Sequence, residues 1–281
     1  MNTPDLPSLR DVIASHGLSA RKSLGQHFLL DMNLTRRIAQ SAGDLSHGTV
    51  IEIGPGPGGL TRAILESGAA HVVAIERDHR AVAIAQELAQ YYPGRLEVID
   101  GDAMKVDIAT LGQTPRRIIA NLPYNISTPL LIQWLSRIDA FASITVMLQK
   151  EVVDRLAAAP GTSDYGRLSV IAQWLCDVEP LFNVDRRAFT PPPAVTSTVV
   201  RLTPKASPLP AGSYKALETV TAAAFGQRRK MLRSSLKSLD LGEQELARTG
   251  IDLNRRAETL TIAEFCLLSS TLDESRRNRD R

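Results

Sequence analysis

The sequence predicts an α/β protein: a Rossmann-like, doubly wound, mostly parallel sheet, with a smaller all-helical domain after it. Three observations carry the architecture. Short β-branched runs alternate with helical patterns along most of the chain, which is the signature of a parallel sheet with crossover helices. A glycine-rich turn joins the first of these runs to its helix. A stretch holding Pro204, Pro208, Pro210 and Gly212 then reads as a linker, and only helical periodicity follows it.

The elements follow in order. After a polar N-terminal arm, Asn33 is placed to cap a helix carrying Leu34 and Ile38 on one face. Val50–Ile53 reads as the first strand, with Leu60, Ile64 and Leu65 on the helix after it. Val72–Ile75 is the second, followed by a helix through Val82, Ile84, Ala85 and Leu88. Leu96–Ile99, Arg117–Ala120 and Ile144–Leu148 continue the alternation. Residues 195–202 alternate with little helix before them, so an antiparallel edge strand is expected there, approached through the rigid Pro191-Pro192-Pro193. Beyond the linker, apolar residues recur at helical spacing as Leu217/Val220/Phe225, Leu232/Leu236/Leu239 and Phe265/Leu268. The expected domains are 1–204 and 205–281, and the basic tail from Ser275 to Arg281 is expected to fray.

Composition narrows the class. At 281 residues the chain is long enough for a full core, and 43% hydrophobic with 22% charged residues reads as soluble and globular. No apolar run reaches the length that spans a bilayer, and the N-terminus has no basic segment followed by an apolar one, so a cytoplasmic location is expected. The two cysteines, Cys176 and Cys266, lack metal-type spacing, and no metal is expected. Charge is uneven: from Lys205 onward 14 Lys and Arg stand against 10 Asp and Glu, and the rest of the chain holds 19 against 20. A basic last quarter fits a phosphate-backbone partner, and equally a solvated face.

Four chemical signals fall just after the first four strands. Gly54-Pro55-Gly56-Pro57-Gly58-Gly59 lets the backbone approach a ligand and feeds a helix N-terminus. Glu76 ends the second strand, 22 positions after Gly54, where a carboxylate can accept both ribose hydroxyls. Asp102 follows the third strand and can accept an adenine amino group, with Ala103 as a backbone donor. Asn121-Leu122-Pro123-Tyr124 follows the fourth. There the Asn121 oxygen and a turn carbonyl can accept the two N–H bonds of a planar amine, while the Tyr124 ring stacks on the attached base. Each signal has a bland counterpart (a ligand-free turn, a surface Glu, a packed Tyr). Their convergence on the edge where open α/β sheets bind ligands favours the functional reading.

These motifs resemble those of S-adenosylmethionine-dependent RNA adenine methyltransferases, which implies that the doubly wound sheet is of the class I methyltransferase type. Three further segments sharpen the likeness: Arg21 to Leu29, Phe189-Thr190-Pro191-Pro192-Pro193-Ala194-Val195, and Phe225 to Leu232. Together, in order and over nearly the whole chain, they resemble the small-subunit (16S) ribosomal RNA adenine dimethyltransferase family. That resemblance implies S-adenosyl-L-methionine contacts at His27, Leu29, Gly54, Glu76, Asp102 and Asn121. Relatives carry Asn where this chain has His27, which a backbone contact would tolerate. It also implies N6,N6-dimethylation of two adjacent adenosines near the 3′ end of 16S rRNA, within the immature small subunit. A monomer is expected.

For catalysis the expected residues are Asn121, Leu122, Pro123, Tyr124 and Phe189: amide and Leu122 carbonyl on the amine, Pro123 stiffening the turn, the two rings on opposite faces of the base. For Phe189 core packing is the competing assignment. Phe225, Leu232, Leu236 and Leu239 project as one helical stripe flanked by Arg229, Lys230, Arg233 and Lys237, either an rRNA docking surface or a solvated side; Arg21-Lys22 invites the same question. The rival classes are a nicotinamide oxidoreductase, a non-catalytic RNA-binding assembly factor on the same scaffold, a DNA adenine methyltransferase and a large-subunit rRNA adenine methyltransferase. The first leaves Asn121 to Tyr124 unexplained, and the DNA enzyme lacks its usual recognition insertion. The long helical C-terminal segment disfavours the large-subunit enzyme.

Overall fold

A computed structural model describes residues 5–21, 24–239 and 241–279. Lys22, Ser23, Asp280 and Arg281 therefore lie outside the described residues, as do the expectations placed on them. The chain divides into two compact units, residues 1–153 with 179–204, and residues 154–178 with 205–281. One boundary falls between Pro204 and Lys205. The segment 154–178 groups with the helical unit, whereas a single division after residue 204 would leave it in the first.

The first unit begins with helix α1 (Leu9–Ser15), the short strand β1 (Phe28–Leu29) and α2 (Met32–Ser41). Asp31, not Asn33, caps α2: its carboxylate accepts from the Asn33 and Leu34 amides. A carboxylate two positions earlier satisfies two orphan donors, which leaves Asn33 inside the helix. Strand β2 (Thr49–Ile53) leads to α3 (Gly59–Glu66), β3 (His71–Glu76) to α4 (His79–Tyr91), and β4 (Leu96–Asp100) to β5 (Arg116–Asn121). Then come α5 (Tyr124–Leu135), β6 (Ser143–Gln149) and α6 (Lys150–Leu156), before α7 (Arg167–Leu175), which belongs to the second unit. Strands β7 (Cys176–Val184), β8 (Phe189–Thr190) and β9 (Ser197–Pro204) close the series.

The main sheet has seven strands in the order β4-β3-β2-β5-β6-β9-β7. β2 pairs in parallel with both β3 and β5, β3 with β4, and β5 with β6, whereas β9 runs antiparallel to β6. Every residue of β2 is buried, the continuous pattern of a strand covered on both faces. Residues 195–202 were expected at the sheet's edge; β9 is antiparallel but interior, and β7 lies outside it. β7 escapes a pattern reading because Asp177, Glu179 and Pro180 interrupt it, and these are residues that edge strands accommodate. β1 and β8 form a separate two-stranded antiparallel ribbon that pairs Leu29 with Phe189.

In the second unit α8 (Tyr214–Gly226) packs against α11 (Ile262–Arg279) and α7, with the short helices α9 (Leu232–Ser235) and α10 (Glu243–Arg248) between them in sequence. Phe225 stacks on Phe265 at 5.5 Å, and Tyr165 meets Phe225 edge-on at 6.1 Å. The single helical stripe from Phe225 to Leu239 is broken: α8 stops at Gly226, and the Leu232 and Arg233 amides donate to the carbonyls of Arg255 and Leu253. Where the tail was expected to fray, α11 continues to Arg279. Among the described residues no helix is long and apolar enough to cross a membrane.

Candidate functional site

The four parallel strands β4, β3, β2 and β5 end on one edge of the first unit, and a cleft opens there. Its walls include the glycine turn 54–57, Glu76, Arg77, Asp102 to Met104, Asn121 to Ile126 and arm residues Leu24 to Leu29. The space in and before the cleft, open solvent included, amounts to about 1180 Å³. The six expected cofactor residues, His27, Leu29, Gly54, Glu76, Asp102 and Asn121, all line it, as do Leu122, Pro123 and Tyr124.

Glu76 is held rigidly. Its Oε1 accepts from the backbone amides of Arg77 at 2.8 Å and Asp78 at 2.9 Å, and its Oε2 from that of Gly56 at 3.2 Å. Burial still outweighs these donors, so its pKa lies above the usual carboxylate value. A carboxylate fixed by three amides presents a preset acceptor and needs no rearrangement on binding. Asp102 accepts from the Met104 amide at 3.0 Å through Oδ1, and Arg77 Nη1 stands 3.5 Å from its Oδ2.

Two further observations fit an adenosyl amino-acid ligand. Gly54 has φ +70°, and a Cβ there would meet no atom within 4 Å, because it would project into open space at the turn. Glu52, 1% exposed on β2, lines the same cleft with a buried Oε2 that has no hydrogen-bond partner. Burial, with Glu76 nearby, pushes its pKa up to about 8, against a weaker lowering by the adjacent Thr61 hydroxyl. A buried carboxyl with one unpartnered oxygen beside a glycine turn suits a cationic group such as an α-ammonium.

At the other end of the cleft, the Asn121 side chain is oriented by its partner. Nδ2 donates to the His27 carbonyl at 3.1 Å, and because a carbonyl only accepts, Oδ1 is left as the acceptor on the remaining side. The Pro123 carbonyl accepts from the Ile126 amide in the turn that opens α5. The Tyr124 phenol shares a 2.6 Å hydrogen bond with Ser197, which tethers the ring by its far end; burial raises the phenol's pKa despite that bond. His27 Nδ1 meets the Pro191 carbonyl at 2.7 Å and so carries the hydrogen. Its ring lies 5.6 Å from Tyr124 and 6.5 Å, edge-on, from Phe189.

Phe189 does not reach the cleft surface. It is 2% exposed and packs with Leu29, Ile119, Met147 and Val199 in the core, so the base-stacking role expected of it is not available in this arrangement. Pairing of β8 with β1 turns the ring inward, where its edge supports the His27 ring. Gln26, Glu52 and Arg77 are among the residues that line the cleft without having been expected there. Glu52 had a visible signal, an acid in an otherwise apolar buried strand. Gln26 and Arg77 had none, since their importance lies in which carboxylates they face.

An open parallel sheet with this glycine turn, strand-end acids and cleft is that of a class I methyltransferase. The chain matches the family described as ribosomal RNA adenine dimethylase over residues 17–274, and it belongs to that family. A protein of Paramagnetospirillum magneticum named ribosomal RNA small subunit methyltransferase A is 68% identical over 269 residues, 96% of each chain. Its namesake in Rhodospirillum rubrum is 61% identical over 95% of this chain and 93% of that one. Among solved structures, a dimethyladenosine transferase from Plasmodium falciparum superposes with a TM-score of 0.75 at 27% identity, covering 86% of this chain and 96% of that one. The 23S rRNA methyltransferase ErmE gives 0.65 at 26% identity, covering 88% and 99%.

Proposed function

We propose that the protein transfers methyl groups from S-adenosyl-L-methionine to N6 of two adjacent adenosines near the 3′ end of 16S rRNA, producing the dimethylated form during small-subunit maturation. The observation that carries this reading is the oriented Asn121 amide, at the strand end next to the carboxylate-lined glycine turn, in a chain of the rRNA adenine dimethylase family. The small-subunit target follows the names of relatives 61% and 68% identical over nearly their whole length.

When bound, the cofactor supplies an electrophilic methyl group on a sulfonium. In this reading Glu76 holds the ribose hydroxyls, Asp102 the adenine amine and Glu52 the α-ammonium, with His27 and Leu29 contributing backbone from the arm. Asn121 Oδ1 and the Leu122 carbonyl accept the two N–H bonds of the unmethylated target amine, and one of them the single N–H left for the second transfer, turning its lone pair toward the donor subsite. Tyr124 lies against one face of the base. The new C–N bond would form as the methyl–sulfur bond breaks to leave a thioether, and the amine proton then departs to water, so alignment does most of the catalytic work; well-oriented reactants gain roughly 7–11 kcal/mol in favourable systems.

In the second unit Arg229, Lys230, Arg233 and Lys237 are all exposed, and so is Arg256, whose backbone bridges to Met231. Arg228 is instead tied to the Thr162 and Ser163 carbonyls. The exposed cations are proposed to engage rRNA phosphates, and the protein to act as a cytoplasmic monomer. The deciding experiment offers labelled donor with under-methylated small subunits, naked rRNA and DNA, and maps the modified nucleosides. Dimethyladenosine at two neighbouring positions of the immature subunit supports the reading. Label on large-subunit rRNA or DNA, or no label at all, overturns it.

A further inference from the structure

Strand β9 runs against its neighbour β6, and that direction gives it a place beside the site. Because the two are antiparallel, the first residue of β9, Ser197, pairs with Gln149, the last residue of β6. Ser197 therefore lies on the edge where the parallel strands end and the cleft opens. It is fully buried, and its hydroxyl meets the Tyr124 phenol at 2.6 Å. The next residue is tied as well: Thr198 Oγ1 donates to Asn183 Oδ1 of β7 at 2.7 Å. An interior strand paired on both sides and bonded in this way is a firm anchor.

Tyr124 needs such an anchor. It is the first residue of α5, whose N-cap, Pro123, provides no side-chain cap, and Pro129 inside the helix lacks the amide that would bond the Asn125 carbonyl. The Ser127 hydroxyl donates to the Tyr124 carbonyl at 3.0 Å and so holds its backbone. That bond leaves the ring free to turn about its side-chain torsions. The His27 ring packs beside it at 5.6 Å, and Phe189, buried in the core, supplies no opposing wall for a base. The directional contact on the ring is the one at its far end, to Ser197.

We propose that Ser197 is a positioning residue for the acceptor end of the cleft: its bond to the Tyr124 phenol sets the plane of the ring on which the target base stacks. The phenol is then a tether and takes no proton from the amine. The inference rests on the reading of Asn121 to Tyr124 as the acceptor end. It gives a use to a hydroxyl that stacking itself does not need, and to a buried serine whose own hydroxyl requires a partner. Ser197 acts without touching the base, by holding the ring in the alignment that methyl transfer demands.

The test compares the full-length wild type with Ser197→Ala, Tyr124→Phe and the double variant, which remove the same bond from one side, the other and both. Methylation of under-methylated small subunits gives KM and kcat across neutral and alkaline pH. Calorimetry measures S-adenosylhomocysteine affinity, and thermal melting measures stability. Each single variant should lower kcat about fivefold, and the double variant by less than about twofold more, since all three lack one bond. The subunit KM and S-adenosylhomocysteine affinity should change by less than about twofold, and the pH profile of kcat should keep its shape. Wild-type kcat in both single variants would overturn the inference, whatever their melting temperatures. So would losses that multiply in the double variant, or a pH limb that disappears in Tyr124→Phe, which would make the phenol a proton acceptor. Should Ser197→Ala not fold, Tyr124→Phe still reads the bond with the serine intact. If wild type transfers no methyl group to small subunits, the acceptor reading itself fails; if it does and the variants match it, only the tether fails.

Discussion

The donor cleft and the basic segment at 228–237 both carry charge, but they use it in opposite ways. At the cleft Glu76, and just behind it Asp78, are buried carboxylates whose partners are backbone amides or other side chains at fixed distances. Around residue 230 the cations are exposed and sit on a turn and a short helix. Preset buried groups give directional interactions that are costly to remove, whereas exposed charges contribute a summed attraction that salt screens. A single substitution should therefore matter greatly in the first region, and only groups of substitutions should matter in the second.

The largest effect is expected at Asn121. Asn121→Ala removes the acceptor aligned on the target amine, and kcat should fall by about 10²–10³-fold, the size that follows removal of a single preorganised polar group. S-adenosylhomocysteine affinity should change by less than about threefold, since Glu76 and Asp102 remain. A similar drop in both quantities would merge the donor and acceptor roles proposed as separate. Next in size is Glu76→Gln, which removes the charge while keeping the shape. Hydrogen bonds to a charged acceptor contribute roughly 1.5–3 kcal/mol, so donor affinity should drop by about 10–100-fold with little change in kcat at saturation.

In the basic segment, reversal of charge at both Arg229 and Arg233 should weaken small-subunit binding by about tenfold at low salt. The salt slope should fall by about one for each phosphate that is no longer neutralised. Either substitution alone should have a small effect. A single substitution that abolished binding would mean a directional interaction, and the contrast between the two regions would collapse.

The cleft was legible in sequence because its chemistry is local: each strand end carries its own polar or glycine signal, and strand alternation sets them along one edge. Gly54, Glu76, Asp102 and Asn121 could be placed without knowing any long-range pairing. Phe189 could not, because its burial depends on β8 pairing with β1 across more than a hundred residues of chain. The same limit applies to Gln26, whose partner Asp78 is 52 positions away. β7 was missed because edge strands tolerate the Pro and charges that pattern reading treats as breakers. The stripe at 225–239 misled for another reason: its spacing is helical, but Leu232 and Arg233 commit their amide hydrogens to the 253–255 loop, so no continuous helix forms.

The smallest expected effect concerns Glu52, and it tests whether burial alone governs a cleft acid. Burial raises its pKa from the ordinary carboxylate value to about 8, so folding favours its neutral form. In the unfolded chain it ionises near 4.5. Its contribution to stability is therefore fully present below about pH 4.5 and is lost as pH rises to about 8. Unliganded wild type should melt lower at pH 8 than at pH 6, by roughly 2–4 °C for each kcal/mol of destabilisation in a chain of this size, and Glu52→Gln should flatten that decline. S-adenosylmethionine should reverse the preference, because an α-ammonium beside the ionised carboxylate replaces a buried lone charge with a pair. Thermal melts of both proteins across this range, with and without ligand, measure it. A wild-type curve parallel to that of Glu52→Gln would mean that Glu52 is ionised and satisfied in the free protein, and the cleft would then lack the cationic subsite that sets it apart from a simple nucleoside pocket.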